Sequence, residues 1–272
     1  MKAEGLLVRL KEDYTSGALE ISLKAIETLT VFLKETRREW RRDLSDFCKR
    51  LAETKPTMAS LFNITHEALL EARRKGSTKE SLKRVLLKMR TNLKDAVIKI
   101  GKEGRSILPK RAVLMTHSRS ASVFAVVKKG VKGGKVGKVY ATQSYPLGEG
   151  ITFSREIEEL GVETHLIPDA TIGIYLSSCD CVLVGGDALT EKFVVNKVGS
   201  LPLALAAHYY KIPLYCVLDT LKFIPSKFYN PPEEKNSLFE AFPLSLVTRF
   251  ITEGGMMKPI EVRKRIRKIE IR

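Results

Sequence analysis

The chain has 272 residues, of which 44% are hydrophobic and 29% charged, and this composition is typical of a globular protein with one large or two smaller domains. It has no run of 18 apolar residues and no N-terminal signal-peptide pattern, so we expect no membrane span and a cytoplasmic location. The net charge of +16 is compatible with a nucleic-acid or acidic protein partner, and the high Lys, Arg and Glu content is typical of heat-adapted proteins.

The first 105 residues show the periodicity of α-helices. The clearest helix covers residues 78–104, where apolar side chains recur at spacings of three and four and Gly101 and Gly104 are placed to end it. Three more helices are predicted at residues 19–38, at residues 40–52 and from Thr57 onward.

The basic charge is concentrated in these helices, because the first 110 residues have a net charge of +10 and the rest +6. A local basic patch surrounds Trp40 and consists of Arg37, Arg38, Arg41 and Arg42. We favour a solvated helix face as its interpretation. No zinc-finger, KH or RRM signature accompanies the charge, so nucleic-acid binding through these basic N-terminal helices rests on charge alone.

From Arg111 onward, short apolar runs alternate with helical segments. The runs have the length of buried parallel strands and cover residues 112–116, 138–143, 162–168, 181–185 and 213–219. This order predicts an α/β protein, with a helical domain at 1–108 followed by a Rossmann-like domain with a parallel sheet at 109–272. The tail, residues 259–272, alternates apolar and basic residues and predicts a last, partly exposed strand.

The four cysteines show no metal-ligand spacing, and we interpret them as small buried hydrophobic residues. Cys179 and Cys181 are expected to share one face of a strand, because successive strand residues point to opposite faces. No Gly-rich dinucleotide fingerprint or P-loop follows the strands, so no metal and no cofactor are expected.

Ligands of such sheets bind outside the carboxyl ends of the strands, so the residues that follow each strand are the candidates. Ser118 follows the first strand, where it could help hold a phosphate at the next helix; alternatively Ser118 or Ser120 simply caps that helix. Asp169 follows the third strand and is expected to be an N-cap.

A carboxylate, an amide and an ammonium group follow the fourth strand. Asp187 is placed to act as a general acid or base, and Lys197, next to Asn196, is placed to bind a phosphate. The alternative is that Asp187 and Lys197 form a structural ion pair.

Several of these strand-end segments resemble the motifs of one family. They are THSRSASVFAVV, VYATQSYPLGEG, GVETHLIPDATIGIYL, DCVLVGGDALTE, VVNKVGSLPLALAAHYYKIPLYCVLDTLKF and PLSLVTRFITEGG. The family joins the alpha, beta and delta subunits of translation initiation factor two-B with two isomerases, which act on methylthioribose 1-phosphate and ribose 1,5-bisphosphate. The resemblance covers nearly all of residues 110–257 and extends weakly to SGALEIS and KPTMASL in the N-terminal half. It implies the same two-domain fold.

The resemblance also implies a site, from which this chain departs. The isomerases carry a cysteine where this chain has Ser118, and a serine hydroxyl is a much weaker acid than a thiol. The aspartate is retained as Asp187, and the phosphate-binding pair as Asn196 and Lys197. An arginine of the second strand motif is replaced by Tyr145.

Further departures lie around these positions. Where the isomerases carry a glutamine before the glycine, this chain has Glu149 before Gly150. The carboxylate of Glu149 would repel a phosphate if it lines the site at the strand ends. In the N-terminal half an arginine is replaced by Ser16 and another by Lys55. Gly17, Lys55 and Thr57 are the ligand-binding candidates that the resemblance leaves there.

These departures predict a regulatory subunit that lacks isomerase activity. By resemblance it would bind initiation factor two and act in its GDP/GTP exchange as a non-catalytic scaffold, and it would form a homodimer through its Rossmann-like domain. Ser118 and Asp187 would then be vestigial catalytic positions. The alternative is a sugar-phosphate isomerase of the ribose 1,5-bisphosphate type, or a sensor of sugar or nucleoside phosphates.

Overall fold

A computed structural model describes residues 2–36, 39–232 and 238–269 of the chain. The chain divides into two compact units, one ending at Asp95 and the other covering Ala96–Ile269. No helix in the described ranges is long and apolar enough to cross a membrane.

The first unit is built from helices. They are α1 (Lys2–Glu12), α2 (Ala18–Glu35), α3 (Trp40–Glu53), α4 (Ala59–Arg73) and the first part of α5 (Lys79–Ile107). The predicted helices at 19–38 and 40–52 and the one beginning near Thr57 correspond to α2, α3 and α4. Their apolar stripes face a common core, in which the rings of Phe32 and Phe47 stack with centroids 4.3 Å apart.

The prediction that Gly101 and Gly104 end the long helix is wrong, because α5 continues to Ile107. Both glycines instead allow α6 (Ala121–Lys132) to approach α5 closely. A Cβ on Gly101 would lie 2.8 Å from the carbonyl oxygen of Ala125, and one on Gly104 would lie 2.3 Å from a methyl group of Val126. Close packing therefore explains these glycines better than helix termination does.

The second unit contains a seven-stranded sheet in the order β10-β9-β7-β4-β1-β2-β3. The five predicted strands are all present, as β1 (Ala112–His117), β2 (Val136–Thr142), β3 (Glu163–Ile167), β4 (Cys181–Val184) and β7 (Leu214–Val217). They pair in parallel, β9 (Arg249–Thr252) joins β7 in parallel, and β10 (Gly255–Met257) is antiparallel to β9. The predicted mixed α/β class with a helical N-terminal region and a mostly parallel central sheet is confirmed.

Helices follow the strands on this sheet, as the alternating pattern predicts. They are α6 after β1, α7 (Glu149–Glu158) after β2, α8 (Ile172–Leu176) after β3 and α9 (Ser200–Tyr209) before β7. Two apolar clusters, one built around Met115, Val182 and Phe250 and the other around Leu114, Leu183 and Val217, form the core.

The second unit also contains a separate three-stranded sheet in the order β5-β6-β8. Its antiparallel strands are β5 (Ala188–Leu189), β6 (Phe193–Lys197) and β8 (Phe239–Pro243). No strand was predicted for these segments. The sheet positions three predicted site residues, because Asp187 directly precedes β5 and both Asn196 and Lys197 lie on β6.

The predicted strand in the tail is wrong, because residues Pro259–Arg267 form the helix α10. Residues 270–272, which also belong to that prediction, lie outside the described residues. Val262 and Ile266 are four positions apart and both are buried, so the tail contains a helical spacing within its apparent alternation.

All four cysteines are buried free thiols, as predicted. Burial raises the pKa of Cys48, Cys179, Cys181 and Cys216 to about 12, which keeps the thiols protonated. The expectation that Cys179 and Cys181 share a face is wrong, because β4 begins at Cys181 and the two side chains belong to different core clusters.

Candidate functional site

The candidate site lies at the carboxyl ends of β1, β4 and β7, three neighbouring parallel strands. Ser118 directly follows β1, Asp187 lies three residues beyond the end of β4, and Asp219 lies two residues beyond β7. Because parallel strands end at one edge of the sheet, these loops meet there. We call this edge of the second unit the crevice.

Ser118 has a left-handed backbone conformation, with φ of 66°. Its backbone N–H donates to Ser144 Oγ at 2.8 Å, which anchors the turn. The Ser118 hydroxyl donates to Glu149 Oε1 at 2.8 Å, and Lys197 Nζ lies 3.3 Å from the same oxygen. The carboxylate of Glu149 therefore bridges the two residues that the sequence placed at a phosphate-binding position.

Glu149 is held there by the glycine that follows it. A Cβ on Gly150 would lie 1.8 Å from the carbonyl oxygen of Thr142, so only glycine allows the start of α7 to pack against the end of β2. The other carboxylate oxygen, Glu149 Oε2, is buried and has no hydrogen-bond partner among the residues that the structure describes. The cluster is therefore polar, and one of its buried carboxylate oxygens makes no hydrogen bond within the described residues.

Asp187 is buried among the charged groups of Lys222, Lys197, Glu149 and Asp219. Burial raises its pKa, and the positive charges of Lys222 and Lys197 oppose that rise without cancelling it. A raised pKa is a property that suits a carboxyl group at a strand end to proton transfer.

Asp219 and Lys222 form a buried ion pair beside Asp187, with Lys222 Nζ 3.6 Å from Asp219 Oδ2. Asp219 Oδ1 is buried without a partner in the described ranges. The sequence analysis missed both residues. The sequence does contain a signal for Asp219, because this residue ends the predicted apolar strand at 213–219. Asp187 was predicted as a site residue from the same kind of position, at the end of the predicted strand 181–185.

Asn196 has a structural contact in this state. Its Nδ2 donates to Ser200 Oγ at 2.8 Å, and that hydroxyl donates to the carbonyl of Lys197 at 2.6 Å. These bonds fix the turn from β6 into α9.

The N-terminus of α9 is occupied by a carboxylate of the chain itself. Glu240 Oε1, on β8, accepts hydrogen bonds from the backbone N–H groups of Gly199 at 2.7 Å and Leu201 at 2.8 Å. Gly199 has φ of 101°, and a Cβ there would lie 2.6 Å from the imidazole of His117. Free N–H groups at a helix start attract anions, and here Glu240 takes that place.

His117 is not available as a base. Its Nε2 lies 2.8 Å from the carbonyl of Val198, which can only accept, so Nε2 carries the proton and Nδ1 accepts from Thr142 Oγ1 at 2.7 Å. Burial lowers the pKa of His117, which favours this neutral form. The ring therefore ties the end of β1 to the loop before α9.

Two cap predictions have different outcomes. Ser120 caps α6, because its hydroxyl oxygen accepts a hydrogen bond from the backbone N–H of Val123 at 3.4 Å. Helix capping by Ser118 or Ser120 was one of the two interpretations of this loop. The prediction that Asp169 is an N-cap is wrong: its carboxylate accepts from the backbone N–H groups of Ser144 and Tyr145, both at 2.9 Å. These donors belong to the turn after β2, in which Ser144 has a left-handed backbone conformation. The sequence alone does not show that this turn lies beside Asp169.

The remaining predicted ligand residues lie in the first unit. Lys55 Nζ donates to the carbonyl of Lys11 at 2.9 Å and lies 4.1 Å from the ring centroid of Tyr14. Gly17 precedes α2, and Thr57 lies between α3 and α4. Within the second unit, by contrast, the structure gathers Ser118, Asp187 and Lys197 with Glu149.

The basic patch is partly structural. Arg41 donates to the backbone carbonyls of Ala72 and Ser77 and lies over the ring of Trp40. Arg42 is exposed, with a long contact of 3.9 Å to Glu39. Arg37 and Arg38 lie outside the described residues.

Comparison with known proteins adds to this geometry. The family model described as the Initiation factor 2 subunit family matches residues 14–233. A putative translation initiation factor eIF-2B subunit 2-like protein of Pyrococcus abyssi is 29% identical over 268 residues, covering 93% of this chain and 95% of that protein. A ribose 1,5-bisphosphate isomerase of Archaeoglobus fulgidus is 28% identical over 270 residues, covering 89% and 85%.

The fold has the same relatives. The crystal structure of the translation initiation factor eIF-2B of Pyrococcus horikoshii OT3 superposes with a TM-score of 0.86 at 26% identity, covering 95% of this chain and 97% of that one. Chains named as initiation factors and chains named as isomerases are thus similar to this protein at nearly equal identity.

Proposed function

Because the chain belongs to the Initiation factor 2 subunit family, we propose that it is a regulatory subunit that binds translation initiation factor two and supports its GDP/GTP exchange as a non-catalytic scaffold. The similarity to eIF-2B subunit-like proteins over nearly the whole chain supports this proposal. The similarity to isomerases means that the decision between the two classes depends on the crevice.

The single observation that carries the proposal is the position of Glu149. Its carboxylate accepts from Ser118 and pairs with Lys197, so the groups that would meet a substrate phosphate are already bound to an anion of the chain. A phosphate would have to displace this carboxylate, and two anions in one small buried space repel each other strongly. A serine also stands where the isomerases carry the reactive cysteine.

A pull-down tests the binding part of this proposal. The purified chain is immobilised and offered the subunits of initiation factor two, with GDP, with a GTP analogue, with sugar phosphates or with no ligand. We expect retention at an ionic strength of about 0.15 M, where exposed charge alone is strongly screened. An unrelated protein of similar basic charge serves as the control, and equal retention on both would contradict the proposal.

Isomerase activity is the second candidate, and Asp187 favours it. A buried carboxyl group with a raised pKa at a strand end is suited to moving a proton on a sugar phosphate. Incubation with ribose 1,5-bisphosphate, followed by detection of the ketose product, tests it. We expect no turnover above the Asp187→Asn variant. Product formation that this variant abolishes would establish the isomerase and overturn the scaffold proposal.

A further inference from the structure

A groove lies at the amino ends of β7 and β9, at the opposite edge of the sheet from the crevice. Two adjoining cavities of about 510 Å³ and about 350 Å³ form it, and both are lined by Ser245 and Thr248. Pro213 and Thr248 directly precede β7 and β9, and Lys258 follows the antiparallel β10, which returns to the same edge. We call it the amino-edge groove, and it shares no residue with the crevice.

One end of the amino-edge groove is basic. Arg249, Lys258 and Arg263 line it, and the two arginines are half-buried. No carboxylate is among the lining residues, and none of these three cations is in an ion pair within the described part of the chain. Glu261, the nearest acid in sequence, accepts from the backbone N–H of Lys258 at 2.5 Å and so caps α10.

Half-buried guanidinium groups that have no carboxylate partner keep N–H donors free for an incoming anion. Their planar donors match the two oxygens of a carboxylate or phosphate. The basic end therefore has the chemistry of an unfilled site for an anion.

The other end of the groove is apolar. Ile212, Pro213, Leu246 and Val247 line it, with Lys211 at its margin. The cavity on this side can accept an aliphatic side chain. Neither cavity is lined by Phe, Tyr or Trp in the described ranges, and the imidazole of His208 is the one aromatic ring among the lining residues. Surfaces for single-stranded nucleic acid usually offer several aromatic rings for base stacking.

We propose that the amino-edge groove binds an acidic peptide segment of a partner protein. Carboxylates of the peptide pair with Arg249 and Arg263, and an apolar side chain of the same segment packs against Ile212 and Leu246. Nothing in this proposal requires the partner to be an initiation factor, so it stands apart from the exchange function.

The test uses the full chain and a fluorescein-labelled peptide of alternating glutamate and leucine, about eight residues long. Fluorescence anisotropy compares it with a peptide in which glutamine replaces glutamate and with an oligothymidylate of equal length. We expect the glutamate peptide to bind at least about tenfold more tightly than either comparator. Tighter binding of the oligothymidylate, or equal binding of the two peptides, would overturn the proposal.

Variants locate the binding on the groove. Replacing both arginines, Arg249→Gln with Arg263→Gln, is expected to weaken peptide binding about tenfold or more. The control pair, Lys264→Gln with Arg267→Gln, removes the same charge from exposed positions on α10, the helix that carries Arg263. It should change binding less than about twofold. An equal loss in both pairs would mean attraction by bulk charge and would refute the groove. Arg263→Gln alone carries the same test if the double variant does not fold.

Discussion

At the scale of single residues, Glu149 and Asp187 determine the chemistry of the crevice in different ways. The carboxylate of Glu149 contacts both Ser118 and Lys197, so these two groups have partners without a ligand. Asp187 is buried among four charged side chains, those of Lys222, Lys197, Glu149 and Asp219. The first feature opposes phosphate binding, and the raised pKa of Asp187 suits proton transfer.

Removing the Glu149 side chain is expected to create an anion site. In Glu149→Ala, Lys197 loses its carboxylate partner and Ser118 gains a free hydroxyl, while the space for an anion opens between them. Inorganic phosphate should then bind about tenfold more tightly than to the unmodified chain. Isothermal titration calorimetry measures this affinity.

The matched control is Glu158→Gln, which neutralises an exposed glutamate on the same helix, α7. It should leave phosphate affinity unchanged, because exposed charges are screened by salt. If Glu149→Ala binds phosphate no better than this control, the carboxylate does not occupy an anion site.

Asp187→Asn is expected to stabilise the protein in a pH-dependent manner. Because the pKa of Asp187 is raised above 3.8 in the folded state, the folded protein binds more protons than the unfolded chain above that pH. The contribution of Asp187 to stability therefore falls as the pH rises through the interval between the two pKa values. The amide removes this loss, so the variant should melt at a higher temperature than the unmodified chain at neutral pH.

The melting temperatures of both proteins, measured between about pH 4 and about pH 8, test this prediction. The difference between variant and unmodified chain should vanish toward the acidic end and grow as the pH rises. Asp95→Asn, at an exposed position, is the control and should show no such trend. A variant that melts lower than the unmodified chain at neutral pH would show that ionised Asp187 stabilises the fold.

At the scale of elements, the approach of α6 to α5 depends on glycines that the sequence pattern misassigned. Gly101→Ala should lower the free energy of unfolding by about 1–3 kcal/mol, because its Cβ would meet a backbone carbonyl that no rotamer change can move. Urea denaturation measures this change. Gly5→Ala, in α1 with no atom within 4 Å of the added Cβ, should be neutral or stabilising. Equal effects of the two substitutions would contradict the packing role.

The strands of the main sheet could be predicted because each is a short, continuous apolar run with both faces buried. The segments β5, β6 and β8 could not, since β5 has two residues and β6 ends in the buried polar residues Asn196 and Lys197. The strand prediction for residues 259–272 failed for another reason. Its apolar residues satisfy a spacing of two and a spacing of four at once, and packing of Val262 and Ile266 against the core decides for the helix.

The crevice was predictable in its location and not in its contacts. Strand ends indicated Ser118, Asp187 and Lys197 because the topology of parallel sheets brings such ends together. The bridging position of Glu149 follows from the contact of Gly150 with Thr142, and the capping by Glu240 follows from the pairing of β8 with β6. Both depend on contacts between distant segments, which a single sequence does not specify.

At the scale of the whole molecule, exposed apolar side chains indicate where a second copy could pack. The helices α8 and α9 lie side by side on the second unit. They leave large apolar side chains in solvent, with Ile174 71%, Leu205 52% and Tyr209 79% exposed. Clustered exposed apolar surface is typical of a protein–protein contact, and a twofold dimer uses the same patch on both copies.

The homodimer proposed from the family resemblance therefore has a specific test. Light scattering should give about twice the chain mass of 30.5 kDa for the unmodified protein. Ile174→Glu with Leu205→Glu places two charges in the patch and should reduce the mass to that of a single chain, because burying unpaired carboxylates opposes association. Val8→Glu with Leu87→Glu makes the same change at exposed apolar residues of the first unit and should leave the dimer intact. Dissociation by both pairs would place the contact elsewhere, and a single-chain mass for the unmodified protein would refute the dimer.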